Sequence, residues 1–365
     1  MHKSFLLNIS RRQLVLSAAA TMLAASPRRA KADGARRNIK LGFDNFAVRA
    51  FQWKAQALVD YAAQTKLDSV FITDLDSFDS RDSTHLKDLR QRGADQGVQI
   101  HLGTWSVCPS SNAFKPTWGN ADEHLALGIR MAADLGSPVL RVILGNYEDR
   151  LSPGGIMARV ADMVKVLRRH KRRAKDAGVK IAVENHAGDL RAHELVSLVE
   201  RAGKDFVGVN IDPGNAVWGL ENPLDNLELL GPYTLTSSMR DSNVWTSEKG
   251  VTVQWTAMGD GVVDFEAYME RFAQLCPGVP VHIETISGFN REFPFFEPNF
   301  WNGYTTVSAA DLAKFWQMAT KGRPSQPWKA PAGTDKATAE QAYQKQQLER
   351  SLNYCKQTLR LGLKT

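Results

Sequence analysis

Four short polar runs, each closing an apolar stretch, hold the residues of this chain best suited to chemistry. They read Ala182-Val183-Glu184-Asn185-His186, Asn210-Ile211-Asp212-Pro213-Gly214-Asn215, Ser238-Met239-Arg240-Asp241 and His282-Ile283-Glu284-Thr285. Extended chain points alternate side chains to one face, so Glu184 pairs with His186, Ser238 with Arg240, and His282 with Glu284. If the runs converge, three carboxylates (Glu184, Asp212 and Glu284) meet in an interior where unpaired charge is costly. A divalent cation resolves their repulsion, and an all-oxygen donor set suits Mn, Mg or similar hard ions. The other resolution is a charge network in which Arg240, Arg141 and the histidines neutralise the acids.

Convergence needs parallel strands that all end on one side. After residue 33 the sequence alternates β-branched apolar runs with longer amphipathic segments, the pattern of a βα repeat. The runs predict strands over 39–46, 69–75, 99–107, 139–145, 180–186, 206–211, 234–241 and 281–285. Helical periodicity spans 54–64, 83–96, 122–135, 155–177, 192–202 and 265–275, and Gly97, Gly136 and Gly178 are placed to end helices. Eight strands with intervening helices predict an α/β fold, a closed (β/α)8 TIM barrel over 33–320, rather than an open doubly wound sheet. No Gly-rich dinucleotide or Walker pattern follows any strand. In such a barrel the loops after the strands form the mouth of the site. Two of these loops are long: residues 250–255 and 258–262 predict a hairpin or lid, and 288–304 is rich in aromatic residues that would cover the site. Residues 321–335 read as a linker, and 336–365 as a C-terminal helical extension packed on the barrel or against a partner subunit of a homo-oligomer.

Further candidates lie on earlier strands. His101 and Trp105 share a face of strand three, where Trp105 can stack on the ring of a bound molecule, and Arg141 on strand four can enter the barrel as a charge partner. Asn215 belongs to the same group of substrate-binding candidates. Of the loop tryptophans Trp218, Trp245 and Trp255, two are expected to serve packing alone.

The first residues predict an export signal. Ser10-Arg11-Arg12 precedes a short apolar run, the twin-arginine pattern, and Ala30-Lys31-Ala32 offers a cleavage site after residue 32. The expectation is a periplasmic protein, with a disordered basic tail as the alternative. The chain carries 46 Lys and Arg against 39 Asp and Glu, a net charge of +7. Six of the basic residues fall within 1–32, which contains no Asp or Glu, so the processed chain is near neutral. The apparent basicity therefore gives no support to nucleic-acid binding, and no apolar stretch outside the signal suggests a membrane partner. Three scattered cysteines make no disulfide framework.

Val183-Glu184-Asn185-His186, Ile211-Asp212-Pro213-Gly214-Asn215, Arg240-Asp241, Gly259-Asp260-Gly261-Val262-Val263-Asp264 and His282-Ile283-Glu284 together resemble the xylose isomerase-like TIM-barrel superfamily. That group includes sugar-phosphate isomerases and epimerases, ketose 3-epimerases, inosose dehydratase-type enzymes and the endonuclease IV type. The resemblance runs from about Ile39 to Met318. It implies a divalent metal (Mn, Mg, Co or Zn) held by Glu184, Asp212 and Glu284, with a histidine ligand at position 238. This chain has Ser238 there, so the ligand set is short by one, and His186 or His282 would have to substitute.

The resemblance further implies proton exchange beside a sugar carbonyl, with Glu184 and Glu284 as the acid/base pair. His186 would shuttle a hydroxyl proton and Arg240 would stabilise oxyanion charge. The expected partner is a small carbohydrate or polyol without phosphate. β-Elimination from a 3-keto sugar starts from the same abstraction and stays open. So does a non-catalytic sugar-binding barrel that lost its metal with the histidine. A nuclease of the endonuclease IV type is disfavoured, because Asn215 and Ser238 stand where its metal-binding histidines would fall.

Overall fold

A computed structural model of the protein describes residues 36–364. The predicted export signal lies outside them. Seven parallel strands follow in order: β1 (Leu41–Asp44), β2 (Ser69–Ile72), β3 (Gln99–Ser106), β4 (Val139–Ile143), β5 (Lys180–Glu184), β6 (Val207–Ile211) and β7 (Thr234–Ser237). The chain then leaves the barrel for an antiparallel hairpin, β8 (Asp241–Ser247) and β9 (Gly250–Thr256). It returns as β10 (Val281–Ile283), which pairs with β1. An isolated parallel bridge from Met239 to Ile283 joins the β7 side to β10 and closes the ring. β11 (Asn290–Phe293) then adds to β9 as the third strand of the small sheet.

The strands are short and buried on both faces, which is why they read as nearly continuous apolar runs. Around them lie α1 (Ala55–Gln64), α2 (Ser83–Asp95), α3 (Ala121–Leu135), α4 (Glu148–Leu151), α5 (Gly155–Arg169), α6 (Lys171–Asp176) and α7 (Ala192–Ala202). α8 (Pro213–Trp218), α9 (Pro223–Leu230), α10 (Phe265–Leu275), α11 (Ala309–Ala319) and α12 (Lys336–Gln357) complete the set. α7 shows the logic: Leu195, Leu198, Val199 and Ala202 recur at helical spacing and are buried. Asn120 and Glu123 form a reciprocal capping box at the start of α3. Gly97, Gly136 and Gly178, the expected helix ends, all take positive φ near 65–69°, where a Cβ would be strained.

Three expectations are corrected. The helix expected over 155–177 breaks at His170, where the chain tightens (His170 N–H to Leu167 C=O, 3.0 Å) and Arg169 and His170 both reach Asp122 on α3. Strand seven stops at Ser237 rather than 241, because Asp241 already starts the hairpin. The hairpin itself is 241–256, not 250–262. Residues 259–263 instead form a loop whose N–H groups at Gly259, Gly261 and Val263 are gathered by the Asp241 carboxylate at 3.0–3.4 Å.

The small sheet has its own core: Val244, Val251, Val253 and Phe293 pack with Trp218, Phe295, Tyr304 and Phe315. The aromatic loop over 288–304 thus packs the core of the small sheet, and none of its residues lines the site cavity among the described residues. Residues 321–335 lie across this sheet, with backbone carbonyls of Arg323, Ser325 and Gln326 receiving Asn243, Asn290 and Gln254. α12 lies on the outside of the barrel. It buries Leu348, Leu352 and Cys355, and Gln344 Oε1 accepts from Ala50 N–H at 2.8 Å.

Candidate functional site

Glu184 ends β5, Asp212 follows β6, Arg240 follows β7 and Glu284 follows β10, so all four arrive at one end of the barrel. Local sequence fixes each of them. Asp212 is the N-cap of α8: its Oδ1 accepts from Gly214 N–H (2.8 Å) and Asn215 N–H (3.0 Å), and Pro213 starts the helix. Asn185 ties β5 to that cap through reciprocal bonds with the Asp212 backbone (2.8 and 2.9 Å).

The expected convergence of the carboxylates occurs. Ligand oxygens of Glu184, Asp212 and Glu284 lie within 4.8 Å of one another, and by distance this buried triad could hold a metal ion. Among the described residues the group contains no histidine, so neither His186 nor His282 replaces the missing ligand. His282 is bonded instead to Ser69 Oγ (3.0 Å) and the Ser237 carbonyl (3.2 Å), inside the barrel. Donor chemistry and charge also weigh against an ion. Ser238 Oγ accepts from Asn210 Nδ2 (3.2 Å), and Arg240 Nη2 bonds both Asp212 Oδ2 and Glu284 Oε2. A dication would have to share two of its three carboxylates with a guanidinium, against like-charge repulsion. The side chains present fit an arginine-neutralised cluster, and as arranged they do not fit a metal.

Glu184 is the most enclosed acid. Arg141 Nε meets its Oε2 at 2.5 Å, Asn210 Nδ2 the same oxygen at 2.7 Å, and Asn215 Nδ2 its Oε1 at 3.0 Å. Burial opposes its ionisation, but Arg141, with His186 and Arg240 behind it, outweighs burial and holds its pKa below the usual value. Asp212 is pushed up to about 6 by burial and by Glu184, against the pull of Arg240. Burial, with the charges of Asp44, Glu184 and Asp212, raises Glu284 well above the carboxylate range despite Arg240. Asp44, at the end of β1, is a fourth acid of the cluster, raised to about 6 by burial. Four acids thus face two guanidinium groups: burial raises Asp44, Asp212 and Glu284, while Arg141 holds Glu184 down.

Above the cluster lies a cavity of about 510 Å³. Glu284, His186, Arg240, Arg141, Asn215 and Trp105 line it. His186 Nδ1 lies 2.7 Å from the Gly145 carbonyl; a carbonyl only accepts, so Nδ1 carries the hydrogen and Nε2 keeps a lone pair. Burial, opposed by Glu184, lowers the pKa of this imidazole to about 4, so it is neutral at pH 7. Trp105 stands edge-on to His186 at 5.4 Å.

Not every candidate reaches the cavity. Glu184 and Asp212 form the layer beneath it. His101 lies inside the barrel against Phe71 and His282, its ring nitrogens without hydrogen-bond partners among the described residues, so its placement does not suit substrate binding. Trp218 and Trp255 both line the cavity, stacked at 4.0 Å; only Trp245, also buried, stays away from it, so two of the three loop tryptophans do not serve packing alone. Lys115, Asp74, Asp76 and Trp118 also line the cavity. They come from loops after β2 and β3, where no spacing pattern marks them.

Gly214 carries a local prediction. A Cβ there would run into Cγ and Cδ of Arg240. Gly214→Ala is expected to lower stability by about 1–3 kcal/mol and to displace Arg240, read as a lower urea midpoint together with lost activity.

Comparisons with known proteins agree with this architecture. The chain is 24% identical over 247 residues to the uncharacterized protein YihM of Escherichia coli K12, covering 67% of this chain and 69% of YihM. It is 21% identical over 230 residues to 3-oxo-isoapionate decarboxylase of Pectobacterium atrosepticum, covering 60% and 76%. Among solved structures, an L-ribulose 3-epimerase superposes with a TM-score of 0.55 at 16% identity, covering 87% of this chain and 97% of that one. The IOLI protein with a bound zinc atom gives 0.54 at 14% identity, covering 77% and 96%. At these identities the structural likeness speaks for the fold. The family model for the xylose isomerase-like TIM barrel matches residues 59–315, well over half of the chain, and the protein belongs to that family.

Proposed function

We propose that this protein is an exported, periplasmic enzyme that moves a proton at the carbon beside a carbonyl of an unphosphorylated sugar or polyol, as an isomerase or epimerase. One observation carries the reading: a neutral imidazole with a free Nε2, His186, and a carboxyl whose pKa burial raises, Glu284, border the same cavity as an arginine. His186 Nε2 takes the C–H proton. Glu284 gives its proton to the carbonyl oxygen, and Arg240 stabilises the negative charge that develops there. Return of the proton to the other face of the same carbon, with Glu284 regaining its proton from the oxygen, gives the epimer; return to the neighbouring carbon, with Glu284 taking the proton of the adjoining hydroxyl, gives the isomer. Glu184 works from beneath by fixing Arg141 and Asn215, and Trp105 offers an aromatic wall to the ring.

A second reading has its own support. Arg141, Arg240 and Lys115 all line the cavity, a cationic set suited to a sugar acid, and one relative is named a decarboxylase of a 3-oxo acid. Loss of CO₂ from such an acid leaves the same enolate, which Arg240 would hold.

Incubation with a panel of ketoses in D₂O, followed by proton NMR, separates the two. Loss of the signal beside the carbonyl, with a new isomer, supports proton exchange. No exchange with any ketose, but bicarbonate released from 3-oxo sugar acids, replaces it with decarboxylation.

A further inference from the structure

Arg240 lies between the carboxylates, where an ion held by this triad would have to sit. Its Nη2 bonds Asp212 Oδ2 and Glu284 Oε2 together, while Glu184 is taken by Arg141. Separate parts of the chain shape that place around a guanidinium. Gly214 leaves the room that a side chain would fill. The Trp255 ring lies 4.3 Å from the guanidinium carbon; Trp218 stacks on Trp255 at 4.0 Å and 16°, and Arg291 approaches the Trp218 ring at 4.0 Å. The result is a ladder of cation, two indoles and cation, reaching from the site to β11. A flat guanidinium suits an indole face, whereas a hydrated divalent ion gains little from one. Ser238, two residues before Arg240, is neutral and gives its oxygen to Asn210.

We infer that Arg240 is a built-in cation standing in place of a divalent ion: one guanidinium bridges Asp212 and Glu284 and offers its remaining N–H groups to a substrate oxygen. Arg240 borders the cavity, is only 2% exposed, and its Nε and Nη1 have no hydrogen-bond partner among the described residues. Buried donors of that kind are costly unless something accepts from them, and a carbonyl or enolate oxygen would. What Arg240 does for a substrate rests on the proton-transfer reading above; its exclusion of an ion does not.

The test therefore needs no substrate. Manganese(II) chloride is titrated into the purified full chain while electron paramagnetic resonance reads free aqueous Mn(II). The wild type, and Ser238→His alone, are expected to leave the ion free, since Arg240 still fills the place. Ser238→His with Arg240→Met supplies the ligand and vacates the place, and is expected to take up one Mn(II) per chain at least tenfold more tightly. Uptake of one equivalent by the wild type, lost in Glu184→Gln, would overturn the inference. So would uptake by Ser238→His alone, or a folded double variant that binds no better than wild type. The two single-site arms decide the matter if the double variant does not fold. A chain that excludes Mn(II) yet exchanges no ketose proton would sink the proposed reaction and leave this inference standing.

Discussion

Arg240→Ala is expected to cut activity by about two to three orders of magnitude and to destabilise the fold more than any other single change in the site. The guanidinium joins Asp212 and Glu284, whose side chains are 0% and 6% exposed. Removing one partner of a buried ion pair leaves the other charge unpaired, at about 3–5 kcal/mol. The two acids would answer by holding protons more tightly. Their folded pKa values, already raised, would rise further above the unfolded values near 4. The folded variant then binds more protons than the unfolded chain across that interval, so its stability falls as pH rises. The deficit against wild type should therefore be small near pH 5 and larger at pH 8, measured by urea denaturation at both. A deficit independent of pH would mean that Arg240 contributes packing and little charge. For turnover, loss of a buried donor to a developing oxyanion costs about 10²–10³-fold, provided the variant is assayed where it is folded.

Glu284→Gln separates charge and proton from shape. Glutamine keeps an oxygen for Arg240 but has no acidic proton, so the barrel should stay folded while kcat falls about 10²–10⁴-fold. The pH profile is the sharper readout. His186 must be neutral, so wild-type activity should rise with pH through about 4. Glu284 must be protonated, so activity should fall again once pH passes its raised value, well above the ordinary carboxylate range. The residual activity of Glu284→Gln should keep the acidic limb and lose the alkaline one; His186→Gln should do the reverse. An unchanged alkaline limb in Glu284→Gln would remove Glu284 as the proton donor.

The sequence by itself determined the barrel and the strand ends that bear its chemistry. Period-two and helical patterns are local, and each apolar run in this chain becomes a strand because both its faces are buried. Glu184, Asp212, Arg240 and Glu284 were legible for the same reason: a charged residue closing an apolar strand must lie at a barrel's mouth or be paired. The Gly259–Asp264 run was legible as a family feature, but its role was not. It holds the Asp241 carboxylate rather than a substrate, a fact carried by backbone N–H groups that have no sequence signature.

Tertiary structure alone decided how the acids are neutralised. Three carboxylates in a row of strand ends read first as an ion site, with an arginine network as the alternative, and Ser238 put the ion in doubt. The position of the Arg240 guanidinium depends on Gly214, on Trp255 from the hairpin and on Trp218 from α8, contacts between segments far apart in sequence. Depth was equally hidden. Glu184 ends β5 and His186 follows two residues later, yet the first lies beneath the cavity and the second lines it, and His101 sits lower still, because a barrel stacks its inward side chains in layers. Periodicity reports the face of a residue; its layer is set by how eight strands are staggered around the ring.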